Sequence, residues 1–342
     1  MAGVSLVAGL AIAEGVVRWL RPQMVDPYWR DRLAYYRHDP ELGWSHVPGA
    51  QGELARQEFH HPVRINAAGW RDRERRLDKE PGVFRIVALG DSFTFGHGVA
   101  DDEIFTRRLE TLMPGVEVLN MALSGSSTDQ QLLILKTRVR QWHPDMVLVM
   151  VCRNDFTGIL SRADGPYGKP AYELIDGGGL RLVNVPVPPP SAGARLHAWL
   201  RRSSGLVNLA ETAWESGPAP AAPAGPGARE TSYALKRALL SAMHQEASRQ
   251  GARFVIGLVP SNAHTYFEEV PAAERRRFEV VKQLAEAERI PVIDLVPAFR
   301  GAARGPVTGA RIDLHYRLDQ HWNRRGHEVA AEEMARQLAA LP

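Results

Sequence analysis

Phe84-Arg85-Ile86-Val87-Ala88-Leu89-Gly90-Asp91-Ser92-Phe93-Thr94-Phe95-Gly96 is the stretch that decides how this chain is read. An apolar run ends abruptly at Gly90, Asp91 and Ser92 follow at once, and a helix-like segment begins a few residues later. In a strand–turn–helix unit that order puts a hydroxyl at the carboxyl edge of a parallel sheet, beside the backbone N–H groups that open the next element. A serine there is placed to attack a carbonyl.

The pattern repeats downstream. Apolar runs predict further strands at Val116–Asn120, Met146–Val151, Phe254–Val259 and Val292–Leu295, after the first at Ile86–Leu89. Helical periodicity predicts helices near Glu103–Leu112, Thr128–Gln141, Tyr233–Gln250 and Ala272–Ala287, with Arg324–Leu341 closing the chain. Short strands alternating with such helices mark a mostly parallel five-stranded sheet covered on both faces. The expected class is therefore α/β, a three-layer, flavodoxin-like domain over residues 84–342.

Two segments stand outside that rhythm. Residues 21–83, punctuated by Pro40, Gly43, Pro48 and Gly49, read as an N-terminal extension packed on the main domain. Residues 156–229 read as a long insertion after the third strand, where they either shape a substrate cleft or form a surface excursion. Its proline-rich tract from Ser216 to Ala228 predicts a mobile tip.

Residues 1–20 form an apolar opening interrupted by Glu14 and Arg18. A spanning helix needs about 20 apolar residues, and the two charges are tolerable only near an interface. A membrane anchor is the favoured reading, with a soluble catalytic domain behind it. A secretory signal and an ordinary amphipathic helix of a cytoplasmic protein remain open. Arg18 and Arg21 would hold the downstream end on the cytoplasmic side, whereas work on polysaccharide would put the domain outside.

The balance of 42 Lys plus Arg against 39 Asp plus Glu, a net +3, offers no concentrated basic surface, which disfavours nucleic acid as a partner. Arg71, Arg73, Arg75 and Arg76 lie in a mixed-charge run that reads as a solvated face. The single cysteine, Cys152, ends an apolar strand and reads as a buried, inert thiol. No metal is expected, because His60, His61, His143 and His315 lack ligand partners at suitable spacing. No cofactor is expected either: the glycines around Ser92 lack the spacing and the lysine of a phosphate-binding loop.

Four segments converge on the carboxyl edge of the inferred sheet: Gly90-Asp91-Ser92, Asn120 to Gly125, Cys152 to Asp155, and Asp319-Gln320-His321-Trp322-Asn323. Ester hydrolysis needs a nucleophile, a base and donors for the developing oxyanion. Ser92 offers the first and His321 the second, with Asp319 to orient the imidazole. Asp319 reaches His321 if the loop bends both side chains inward, and in a strand residues two apart share a face. The Ser92 N–H, the Gly125 N–H and the Asn154 amide are the candidate oxyanion donors.

These blocks resemble, in order, those of the SGNH, or GDSL-type, hydrolase superfamily, from about Phe84 to Leu341 with the insertion excepted. The segment from Asp319 to His327 is similar to the terminal block of its bacterial branches. The resemblance implies an SGNH-hydrolase fold and serine ester hydrolysis without a cofactor. It puts the nucleophile on Ser92, the oxyanion donors on Ser92, Gly125 and Asn154, and the acid–base pair on Asp319 and His321. The chain departs from the pattern twice. Leu318 stands where many members carry the acid, three residues before the histidine, and Cys152 stands where glycine is common.

Other readings accompany each residue. Ser92 could cap a helix, His321 could be a structural surface histidine, and Asp319 and Asn154 could shape turns. Asp91 and Asp155 are expected to tie down their loops. Phe93, Phe95 and Trp322 could line an acyl pocket or stack on a sugar, or else support the loops from the core; Arg153 could meet an anionic substrate. The favoured function is hydrolysis of a small-molecule or carbohydrate acyl ester, deacetylation included. The alternatives are O-acyl transfer to a glycan and a non-enzymatic glycan-binding module on the same scaffold.

Overall fold

The computed structural model describes residues 2–20, 34–164, 167–215, 226–305 and 311–341. It opens with helix α1 (Ala2–Leu20). Two hairpins follow, β1 (Tyr36–Asp39) with β2 (Gly43–His46), then β3 (Gln51–Ala55) with β4 (His60–Arg64). The main domain begins with β5 (Phe84–Leu89), the four-residue helix α2 (Ser92–Phe95), α3 (Phe105–Leu112) and β6 (Val116–Asn120). Next come α4 (Thr128–Ile134), β7 (Met146–Val151) and the short α5 (Asp155–Gly158). The predicted helix Thr128–Gln141 is present, but it widens to a π turn at Leu135–Val139 and tightens to 3-10 at Arg140–Trp142.

The insertion carries β8 (Ala163–Asp164), β9 (Tyr167–Gly168), β10 (Ala171–Leu174) and β11 (Leu180–Val183). Helices α6 (Ala192–Ser203) and α7 (Gly205–Glu215) come next. Of the expected mobile tract, residues 216–225 lie outside the described residues. The last residues of that tract open a helix: α8 runs from Pro226 to Arg249, with proline in the first turn where its missing N–H costs nothing. The chain then completes β12 (Arg253–Leu258), α9 (Asn262–Tyr266), α10 (Ala272–Glu288), β13 (Val292–Asp294), α11 (Val296–Ala303) and α12 (Arg324–Ala339).

The central sheet has the order β13-β12-β7-β5-β6, and all its pairings are parallel. Five strands so ordered are the three-layer, flavodoxin-like α/β arrangement expected from the sequence. The middle strand, β7, buries all six of its residues, as a strand covered on both faces must. Alternation along β5 then divides the interior. Val87 and Leu89 face one core with Leu132 of α4, Leu239 of α8 and Phe278 of α10. Ile86 and Ala88 face the other with Phe105 of α3, Phe299 of α11 and Val329 of α12.

The extension is not peripheral. Tyr35, Trp44, Leu54 and Val63 are buried in the same core as Val87 and Phe95. Complete burial of each such side chain contributes about 1.5–3 kcal/mol, so the extension is held to the sheet as firmly as a domain helix. Local signals set the helix starts that matter for the site. Ser127 and Gln130 form a reciprocal capping box on α4, and the Asn323 side chain accepts the Gly326 N–H at 3.0 Å to start α12.

Candidate active site

Ser92 begins α2 at the carboxyl end of β5. Gly90 is obligatory there, because a Cβ would come within 2.1 Å of Thr94 Oγ1. The cap of α2 is Asp91, whose Oδ1 accepts the Phe93 N–H at 3.0 Å. The Ser92 hydroxyl is thus left for another partner. Its Oγ lies 2.7 Å from His321 Nε2, and His321 Nδ1 lies 2.5 Å from Asp319 Oδ1. An ionised carboxylate can only accept, so Nδ1 carries the imidazole proton and Nε2 is free to accept the serine proton.

Asp319 reaches the imidazole through a bend rather than a strand. Gln320 between them sits at φ 68°, in the left-handed region, and turns the carboxylate back toward the ring. Glu58, from the β3–β4 turn, holds that loop in place. Its carboxylate accepts the N–H groups of Arg317, Leu318 and Asp319 at 2.7, 2.8 and 2.9 Å. His97 adds a second contact, with Nε2 3.5 Å from Asp319 Oδ2 and its ring 4.5 Å from that of His321. Burial pushes the Asp319 carboxyl up, but hydrogen bonds and charge from His321 and His97 outweigh it and hold the group well below the usual carboxylate range. Burial, with the nearby His321, pushes His97 down to about 3, so this ring is neutral at physiological pH.

The other two blocks meet Ser92 from the opposite side. Gly125 turns at φ 80°, a conformation that favours glycine, and lines one cavity with Ser92, Asn154 and His321. The carbonyl of the preceding residue, Ser124, lies 3.3 Å from Trp44 Nε1 and 3.5 Å from the Tyr36 hydroxyl, both from the extension. Because C=O and N–H of one peptide point in opposite directions, fixing that carbonyl fixes the direction of the Gly125 N–H. Asn154 donates one amide hydrogen to Asp91 Oδ2 at 2.8 Å, which leaves the second for a ligand.

Cys152 is buried, and its thiol is 2.9 Å from Asp91 Oδ2 and also bonds Asn154 Oδ1. Burial, reinforced by the charges of Asp91 and Asp155, pushes the thiol well above its ordinary value, as an inert cysteine requires. The ligand atoms of His97, Asp319 and His321 lie within 4.8 Å of one another, a spacing that a metal ion can use. Both imidazole nitrogens of His321 are already engaged, by Ser92 and by Asp319.

Residues 88–329 match the family model described as the GDSL-like Lipase/Acylhydrolase family. The chain belongs to the GDSL-like lipase/acylhydrolase family. None of the curated proteins compared with it matches in sequence. Among solved structures, this GDSL-like hydrolase is similar to a lipolytic protein of the G-D-S-L family from Veillonella parvula, at 14% identity and a TM-score of 0.45, covering 76% of this chain and 100% of that one. An acetylxylan esterase from Geobacillus stearothermophilus gives 14% identity, a TM-score of 0.44 and coverage of 76% and 96%. A GDSL-like lipase from Bacteroides thetaiotaomicron gives 12% identity, a TM-score of 0.39 and coverage of 75% and 89%.

Two expected lining residues of the hydrolase are instead core. Phe95 is fully buried, its ring 6.3 Å from that of Tyr35 and 5.2 Å from that of His46. The helical turn of α2 carries Thr94 and Phe95 inward while Phe93 stays half-exposed over His321, with ring centroids 4.8 Å apart. Trp322 is also fully buried, and its Nε1 donates to the Pro260 carbonyl at 3.2 Å. It pairs with His315 in an isolated bridge, and extended neighbours point to opposite sides, so His321 faces the cleft and Trp322 cannot. Phe93 and Arg153 do line the smaller of two cavities beside Ser92. Sequence reasoning missed Glu58, His97, Trp44 and Tyr36; none belongs to a block, and their roles arise only from tertiary contact.

Proposed function

We propose that this GDSL-like hydrolase cleaves short acyl esters by a serine mechanism, with Ser92 as nucleophile, His321 as base and Asp319 as its orienting carboxylate. The observation that carries the reading is the unbroken Ser92–His321–Asp319 chain at 2.7 and 2.5 Å. Ser92 Oγ attacks the ester carbonyl while His321 Nε2 takes its proton. The negative charge on the tetrahedral oxygen meets the N–H groups of Ser92, Gly125 and Asn154. His321 then protonates the leaving alcohol, water attacks the acyl-enzyme by the reverse sequence, and the acid departs.

Two unequal cavities flank Ser92. One of about 150 Å³ is lined by Phe93, Val259, Pro260 and His321, and the other of about 860 Å³ by Gly125, Phe156, Leu160, Tyr233 and Arg277 among others. We assign the acyl group to the small cavity and the alcohol to the large one. A cavity of that size holds a few methylenes, since a water molecule takes about 30 Å³. The expected result is that kcat/KM for p-nitrophenyl esters falls by about tenfold or more between butyrate and octanoate. Equal rates across the series would contradict the assignment.

The large cavity also leaves room for a second hydroxyl compound, which favours O-acyl transfer to a glycan as the alternative to hydrolysis. Product analysis with an activated acyl donor and candidate glycans separates them: free acid as sole product supports hydrolysis. Ligand binding without any turnover would instead indicate a glycan-binding module.

The proposed location is a membrane surface. Residues Gly3–Leu20 of α1 have mean hydropathy 1.5 and stay largely exposed, and 19 helical residues reach about 28 Å against a hydrocarbon core of about 30 Å. Glu14, the charge that interrupts the run, accepts bonds from Ser204 Oγ and the N–H groups of Gly205 and Leu206 at 2.7, 2.8 and 2.9 Å. The charge is thereby tied to the start of α7. The full chain is expected to float with phosphatidylethanolamine–phosphatidylglycerol vesicles in a density gradient. Recovery at the bottom of the gradient would remove the anchor.

A further inference from the structure

A buried ammonium group lies beneath the oxyanion side of the cleft. Lys236, on α8, is fully buried; its Nζ is 3.4 Å from Asp155 Oδ2, bonds Thr128 Oγ1 and lies 5.1 Å from the Phe156 ring centroid. Asp155 is also fully buried, its Oδ2 accepting the Cys152 N–H at 3.0 Å and its Oδ1 the Gln131 amide at 3.3 Å. Asp91, also fully buried, takes bonds from Asn154 Nδ2, the Phe93 N–H and the Cys152 thiol.

Two carboxylates therefore grip the same turn, Cys152 to Asp155, from two sides. Burial pushes Asp155 up, Lys236 pulls it down, and Asp91 pushes it up again. The neighbouring cation, Lys169, is engaged by Asp129 at 2.6 Å and the Gly158 carbonyl at 2.8 Å. Unbalanced charge at such a depth is far costlier than a balanced pair. Lys236 is thus the group placed to offset the second carboxylate.

We propose that Lys236 is a positioning residue for Asn154: its ammonium balances the Asp155 carboxylate that clamps the Cys152–Asp155 turn, and so fixes the Asn154 amide beside Ser92. The inference rests on the reading of Asn154 as an oxyanion donor. It also gives α8, the helix that follows the insertion, a place in the chemistry, because α8 carries both Lys236 and the cavity wall at Ser232 and Tyr233.

The test compares Lys236→Met with Lys236→Met/Asp155→Asn in the full chain, on a soluble short-chain ester. The single variant is expected to lose about ten- to a hundredfold in kcat with KM little changed, since the donor is misplaced and substrate binding is not. Its acid limb is expected to move to higher pH, because Asp155 without its cation takes a proton sooner on acidification. The double variant removes charge of both signs. A neutral amide oxygen at 155 still accepts the Cys152 N–H, and Gln131, whose Oε1 has no hydrogen-bond partner among the described residues, can turn to accept from the new amide.

The double variant should therefore recover to within about threefold of the parent kcat and regain the parent acid limb. A purely packing role for Lys236 predicts no such recovery. If the single variant fails to fold, the double variant decides alone: folded and active supports the proposal, and unfolded or inactive overturns it. A parental kcat and acid limb in Lys236→Met would also overturn it. Parental behaviour there, with turnover lost in Ser92→Ala, would reject this inference alone. Full turnover in Ser92→Ala would reject the underlying reading.

Discussion

Ser92→Ala is expected to lower kcat/KM for a short-chain ester by on the order of 10⁴- to 10⁶-fold, with the melting temperature nearly unchanged. The size follows from losing the nucleophile outright, with only the oxyanion donors and binding left to accelerate attack by water. The unchanged stability follows from local structure. Asp91, not Ser92, caps α2, and the hydroxyl of Ser92 bonds His321 rather than the backbone. Alanine in the first turn of a helix costs little. Steady-state kinetics and a thermal melt on the same preparation check both halves. A large loss of stability with little loss of activity would instead make Ser92 a structural residue.

Asp319→Asn is expected to cost about 10⁴-fold in kcat, because an amide can donate to Nδ1 and so favours the imidazole tautomer that cannot accept the Ser92 proton. The loop itself should survive, since Glu58 holds it through backbone N–H groups that the substitution leaves in place. Stability should respond with a definite sign. The Asp319 carboxyl is depressed in the folded chain, so its contribution is present above the unfolded value of about 3.9 and is lost as pH falls through the folded value. The difference in melting temperature between parent and variant should accordingly be largest near neutrality and shrink under strong acid. A gap that widened on acidification would contradict the ion-pair account of this site.

How much of this was legible beforehand depended on whether the signal was local. The strands at Val116–Asn120 and Met146–Val151 have the bounds read from the sequence; at Met146–Val151 burial on both faces writes a continuous hydrophobic stretch into the chain. The site blocks were legible because each ends a strand or opens a helix. The facing of individual aromatics was not. Phe93 and Phe95 differ by half a helical turn, and Trp322 differs from His321 by one step of an extended bridge, so motif membership could not tell lining from core. Glu58, His97 and Lys236 were illegible for another reason. They act on Asp319, Asp319 and Asp155 across long stretches of chain, and no periodicity marks a residue whose partner lies on a different element.

The claim that Ser92 is the nucleophile is tested most directly by labelling the folded chain with a serine-reactive fluorophosphonate and mapping the adduct by peptide mass spectrometry. The account predicts a single adduct on Ser92, formed at a rate that falls steeply in Asp319→Asn and absent from acid-unfolded protein. An adduct on another serine, or none on Ser92 in a preparation that still hydrolyses the ester, would contradict it.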